Sequence, residues 1–145
     1  MTSRSDLNIL VVDDDIFIRK IVKERLNTEG YTVTTAEDGK AGWEKFLKNS
    51  YQLIITDINM PKTNGIELLN RILATNIKIP AVVMSGRLSK AMEELVEEAG
   101  ANAFLRKPFS GEELLDIVSS NLNWEDNDKN ETTGKEFNHR GLREF

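Results

Sequence analysis

The sequence predicts an α/β fold: a five-stranded parallel sheet, doubly wound by helices in a (βα)5 order. Three observations predict it. Short apolar runs recur along the chain, stretches of helical period separate them, and residues able to do chemistry follow the runs directly.

The strand candidates are 8–12, 31–35, 52–56, 81–84 and 103–106. Three contain continuous apolar runs (ILVV, LIIT and AVVM), as expected of strands buried on both faces of a parallel sheet. After the first strand, Ile18, Ile21, Val22 and Leu26 fall on one helical face. After the third, Ile66, Leu69, Ile72 and Leu73 do the same. After the fourth, Leu88, Ala91, Met92, Leu95, Val96 and Ala99 give the cleanest helical pattern in the chain. Leu114, Ile117, Val118 and Leu122 make the last face. Gly30 and Gly100 stand where helices should stop, at positions that favour positive φ. Right-handed crossovers then put helices on both faces of the sheet. In such sheets ligands bind beyond the carboxyl ends of the strands, near the switch in strand order. Functional residues should therefore lie just after the apolar runs.

Bulk properties narrow the classes. A chain of 145 residues suits one domain with a real core. Hydrophobic residues at 39% and charged residues at 30% describe an ordinary soluble protein. There is no cysteine, which excludes disulfides and thiolate metal sites and fits a cytoplasmic location. Residues 1–6 form a polar leader without the apolar core of a signal peptide. No apolar run is long enough to span a bilayer. The net charge of −5 and the scattered Lys and Arg argue against nucleic-acid binding. The body is expected at 7–122. Residues 123–145 lack a helical face and are expected to be a flexible tail, with Trp124, Phe137 and Phe145 as anchors if the tail binds a partner.

The strand ends hold the chemistry. The first apolar run ends in Asp13-Asp14-Asp15, the third in Asp57, the fourth in Ser85-Gly86 and the fifth in Lys107-Pro108-Phe109. Each alone has a plain structural explanation. Asp15 suits a helix N-cap, Asp13-Asp14 a solvated turn, Asp57 a turn residue before Pro61 and Gly65, Ser85 a loop hydroxyl, and Lys107 a surface charge. Their common location at one sheet edge favours function. Two unit charges about 4 Å apart repel by about 4 kcal/mol at an effective dielectric near 20, so three carboxylates in one pocket call for a counter-cation. Oxygen ligands favour Mg²⁺, with Mn²⁺ as a substitute, over zinc. A carboxylate nucleophile with a divalent ion, a lysine and a hydroxyl describes phosphoryl transfer to an aspartate.

VVDDD, the D-x-N-M-P-x-x-x-G stretch from Asp57 to Gly65, Ser85-Gly86 and Lys107-Pro108-Phe109 together resemble the response-regulator receiver family of two-component signalling, across about 7–122. The resemblance implies a flavodoxin-like sheet of strand order 2-1-3-4-5. It implies that Asp57 is phosphorylated by a histidine kinase or phosphotransfer protein. Asp14 would bind the metal directly, Asp13 mainly through water, Asp57 itself, and Asn59 through its backbone carbonyl. Lys107 would contact the phosphoryl group and Ser85 would hydrogen-bond it on activation. Phe104 takes the aromatic switch position, with phenylalanine where chemotaxis members have tyrosine. Asn59 and Arg87 take positions that tune phosphoryl lifetime, and Lys107-Pro108 is expected to be a cis peptide.

The expected function is a switch, not a turnover enzyme. Phosphorylation would draw in Ser85, swing Phe104 from an exposed to a buried rotamer, and reshape the face made by helix 88–99, the fifth strand and helix 110–122, where a protein partner binds. A full switch needs about 5.5 kcal/mol. A charge-assisted hydrogen bond supplies about 1.5–3 and burial of a Phe ring about 1.5–3 more, so the switch is expected to be incomplete. A phosphatase of the haloacid dehalogenase type would need D-x-D-x-T, but positions 59 and 61 are Asn and Pro. No G-x-G-x-x-G or Walker loop supports a nucleotide-binding module. No DNA-binding or catalytic module follows Leu122, and the initiating Met1 suggests a stand-alone regulator.

Overall fold

The computed structural model describes residues 3–60, 64–122 and 143–144, the last pair by backbone alone. Five strands, β1 (Asn8–Val12), β2 (Thr32–Ala36), β3 (Leu53–Asp57), β4 (Ala81–Ser85) and β5 (Ala103–Arg106), alternate with five helices. These are α1 (Ile16–Thr28), α2 (Gly39–Lys48), α3 (Gly65–Ala74), α4 (Lys90–Glu98) and α5 (Gly111–Leu122). All neighbouring strands pair in parallel, in the order β2-β1-β3-β4-β5. The order confirms the flavodoxin-like prediction, with one addition. A two-residue strand, β6 (Arg143–Glu144), extends the sheet beyond β5 to six strands. An unpaired sheet edge is a template for further pairing, and two residues are too short to show a sequence period.

β1 and β5 have the expected bounds, while β2, β3 and β4 differ from expectation by one residue, the first two for visible local reasons. The Tyr31 N–H still donates to the Leu26 carbonyl (3.1 Å) at the end of α1, so β2 begins at Thr32. Asp57 pairs with Met84 and belongs to β3. Gly30 and Gly100 have φ of 101° and 105° after α1 and α4, as their placement predicts.

Strand side chains alternate between two cores. Ile9, Val11, Leu53, Ile55, Val82, Met84 and Leu105 face Val22 and Leu26 of α1 and Leu114, Ile117 and Val118 of α5. Leu10, Val12, Ile54, Val83 and Phe104 face Phe46 of α2, Leu68, Leu69 and Ile72 of α3, and Val96 of α4. The expected helical faces are only partly right. Ile21 and Leu73 are 56% and 53% exposed, while Leu68 is buried. In α4, which has the cleanest apolar pattern, Val96 alone is fully buried and Leu95 is 48% exposed. The apolar stripes on α1, α3 and α4 are wider than the arc the sheet covers.

Residues Arg4–Asp6 make a 3-10 turn, and the Arg4 guanidinium stacks over Tyr31, 5.5 Å from its ring centre. Trp124, Phe137 and Phe145 lie outside the described residues. Among the described residues, no helix is long and apolar enough to cross a membrane.

Candidate phosphoacceptor and metal site

The pocket forms where β1 and β3 end side by side, with β5 two strands away. Parallel pairing brings Val12 opposite Thr56, so Asp13 and Asp57 each stand one residue past that buried pair. Both carboxylates are buried: Asp13 is 0% exposed and Asp57 6%. Asp14 is exposed. One carboxylate oxygen from each of the three lies within 4.8 Å of the others.

Lys107 joins them after β5. Its ammonium donates to Asp13 Oδ2 at 2.9 Å and lies 3.4 Å from Asp57 Oδ1. The bond that follows it, Lys107–Pro108, is cis, as expected. The Lys107 N–H donates to the Ser85 carbonyl (2.8 Å), tying the ends of β4 and β5 together.

The two buried acids differ. Asp13 is well satisfied, because Asp15 N–H donates to its Oδ1 (2.9 Å) and Lys107 to its Oδ2. Arg19 also donates to the Asp13 carbonyl (2.9 Å), a support that no spacing rule would have exposed. Asp15 caps α1 by accepting from the Phe17 and Ile18 N–H groups, as its sequence position predicts. Asp57 is less well served. Burial first, then the Asp13 charge, push its carboxyl up to about 6 from 3.8, against the pull of Lys107 and the Ile58 N–H. For Lys107, burial favours the neutral form, but the hydrogen bond and charge of Asp13 and the charge of Asp57 outweigh it and raise its pKa. The surroundings of Asp57 thus disfavour its charged form, and added positive charge beside it would relieve that.

Gly65 explains the end of the D-x-N-M-P-x-x-x-G motif. A Cβ there would collide with the Asp57 carbonyl oxygen, so only glycine lets α3 start this close to the end of β3. The Gly65 N–H donates to the Ile58 carbonyl (3.0 Å), and Asn64 caps the helix.

The remaining predicted residues are less closely gathered. Ser85 is 2% exposed, but its hydroxyl donates to the Arg87 carbonyl (2.8 Å) and accepts from the Arg87 N–H (3.2 Å), within its own loop. Asn59 and Arg87 are exposed at the rim. Phe104 corrects an expectation: its ring is 2% exposed, packed in the α2–α3–α4 core with the Arg106 guanidinium 5.7 Å from its centre. Phe104 therefore has no exposed rotamer to leave in this conformation. Sequence reasoning also missed an apolar rim. Ile16 and Phe17, at the start of α1 directly after the acids, are 55% and 71% exposed.

Buried acids and a lysine at the carboxyl edge of a doubly wound parallel sheet define a class of site suited to phosphoryl groups and hard cations. The family follows from comparison. The response regulator receiver domain model matches residues 9–119, and the chain belongs to that family. It is 37% identical over 110 residues to the transcriptional regulatory protein RprY of Bacteroides fragilis, covering 74% of this chain and 46% of RprY. It is 34% identical over 129 residues to CpxR of Escherichia coli, another transcriptional regulatory protein, covering 87% and 55%. The chain thus spans about half the length of the curated relatives it matches. Among solved structures it resembles the chemotaxis protein CheY4 of Vibrio cholerae (TM-score 0.76, 33% identity, 80% of this chain and 98% of that one). A CheY-like receiver domain protein from Methanospirillum hungatei matches with a TM-score of 0.78 at 30% identity, over 81% and 94%.

Proposed function

We propose that Asp57 accepts a phosphoryl group from a phosphohistidine of a histidine kinase or phosphotransfer protein, and that the chain acts as a switch and not as a turnover enzyme. The observation behind this is the buried Asp57 carboxylate at the end of β3, facing a lysine at 3.4 Å. In the transfer, an Asp57 oxygen forms a bond to phosphorus as the phosphorus–nitrogen bond of the donor breaks, and the imidazole leaves and takes up a proton. Lys107 neutralises charge on the phosphoryl oxygens. Asp13 orients Lys107 through the 2.9 Å bond and is itself held by the Asp15 N–H. Hydrolysis of the acyl phosphate later resets the switch.

The donor set fits a hard divalent cation. Three carboxylates against one ammonium leave the cluster two charges short of neutrality, and every donor is oxygen. Asp13, Asp14 and Asp57, with the Asn59 backbone carbonyl, would hold Mg²⁺, and Mn²⁺ would substitute. When bound, the ion would neutralise developing charge on the transferred group.

Two surfaces serve this reading. The exposed Ile16 and Phe17 beside the acids suit contact with the phosphodonor. The output is a protein contact on the face made by α4, β5 and α5, since α4 leaves Leu95 48% exposed and Met92 only partly buried. The transcriptional roles named for RprY and CpxR belong to chains of which this one matches about half. The net charge of −5 favours a protein partner over nucleic acid for this domain. The test is labelling from a phosphorylated kinase or acetyl phosphate. Wild type should gain hydroxylamine-sensitive phosphate that is lost with excess EDTA or in Asp14→Ala; labelling unchanged in EDTA would rule out the metal-assisted mechanism.

A further inference from the structure

The outer edge of β5 is occupied. Arg143–Glu144 pairs with it in parallel, Arg143 opposite Ala103 and Glu144 opposite Phe104. The elements β5, α5 and β6 therefore repeat the strand–helix–strand unit that builds the rest of the sheet. A helical crossover returns the chain in the parallel sense, which is the sense observed.

Phe104 faces the core shared with α4, while Ala103 and Leu105 face the core shared with α5, so β6 extends the sheet edge that separates the layers of those two helices. The α4 side of that edge has apolar surface to spare. Leu95 is 48% exposed, and Leu88 and Met92 are only partly buried. In the sequence, Leu142 and Phe145 bracket the paired residues.

We propose that the C-terminal segment of this same chain is the resident occupant of the α4–β5–α5 flank, docking by adding a strand to β5. A partner must displace it to use that flank, a consequence that rests on the output surface proposed above; the docking itself does not. Two paired residues hold weakly on their own, but a tether raises their effective concentration to the order of millimolar. Residues 123–142 can reach on the order of 60 Å when extended, far more than the roughly 10 Å between packed layers. Weak pairing with a long tether gives a cover that excludes casual contacts and yields to a specific one.

The test uses the full chain and the double variant R143P/E144P, because proline removes the strand N–H and opposes pairing. Amide hydrogen exchange is followed by NMR. In wild type, the amides of 103–106 that point away from β4 should exchange about tenfold more slowly than in the variant, while amides of β1 and β3 stay equally protected in both. Equal exchange at the β5 edge in the two proteins would overturn the proposal. So would protection that disappears on dilution, since that would place a second copy's strand on β5. Acetyl phosphate labelling of both proteins serves as a separate readout. Its loss in both would refute phosphoacceptance and leave the docking result standing.

Discussion

Val12 and Asp13 are adjacent and equally buried, yet they do opposite things. Val12 belongs to the apolar interior of the sheet, where Leu10, Val12, Ile54 and Val83 are all 0% exposed. One residue on, the same burial is imposed on Asp13, and almost the same on Asp57. Burial of an apolar side chain stabilises the fold by about 1.5–3 kcal/mol. Burial of Asp57 works against it by raising the carboxyl pKa. The interior of the sheet therefore supports an edge where the Asp57 charge would be better off in water, and that mismatch makes the edge receptive to a cation and a phosphoryl group.

The sharpest way to break this contrast is Asp57→Asn. It should abolish phosphoryl incorporation altogether, because the amide is no nucleophile. Radiolabel retained at the wild-type level would move the site elsewhere. Next in size is the interior. Ile54→Ala should cost about 2–5 kcal/mol, read as a lower urea midpoint with unchanged slope. A cost well below that range would mean that the core is looser than its burial indicates.

Stability of the edge should run the other way. With the Asp57 pKa raised from 3.8 to about 6, its ionisation costs nothing below pH 3.8. The cost grows as pH rises from 3.8 to 6 and is complete above that. The full shift corresponds to on the order of 3 kcal/mol. In EDTA at pH 7, Asp57→Asn should therefore gain about 1–3 kcal/mol, less than the full amount because Lys107 loses one of its two partners. At pH 3.5 the gain should vanish. Parallel thermal melts at the two pH values check this, and a variant less stable than wild type at pH 7 would contradict it.

Much of this was legible in the sequence, because strands buried on both faces read as apolar runs and parallel topology forces their ends together. Asp13, Asp57 and Lys107 were therefore predictable neighbours. The state of the switch was not. Rotamers depend on packing that no spacing encodes, and the Phe104 ring is already buried. Arg19 on the Asp13 carbonyl is a side-chain contact that no periodic pattern marks, and the pairing of Arg143–Glu144 with β5 is a long-range contact without a sequence period.

The buried Phe104 also changes the energetics of switching. Ring burial contributes nothing from this conformation, and Ser85 must give up its bond to the Arg87 carbonyl. Exchanging a neutral bond of about 0.5–1.5 kcal/mol for a charge-assisted one of about 1.5–3 leaves roughly 1 kcal/mol, far short of the 5.5 or so of a complete switch. Ser85→Ala should thus have the smallest effect of the series. It should label normally on Asp57, with weaker beryllofluoride-induced amide shifts along α4. Shifts equal to those of wild type would exclude Ser85 from transmission.

The most direct test of the account is site mapping on wild-type protein incubated with acetyl phosphate and Mg²⁺, by mass spectrometry after proteolysis. The account predicts a single phosphoryl group on Asp57. A phosphoryl group on Asp13 or Asp14, or none on any acid of the pocket, would contradict it.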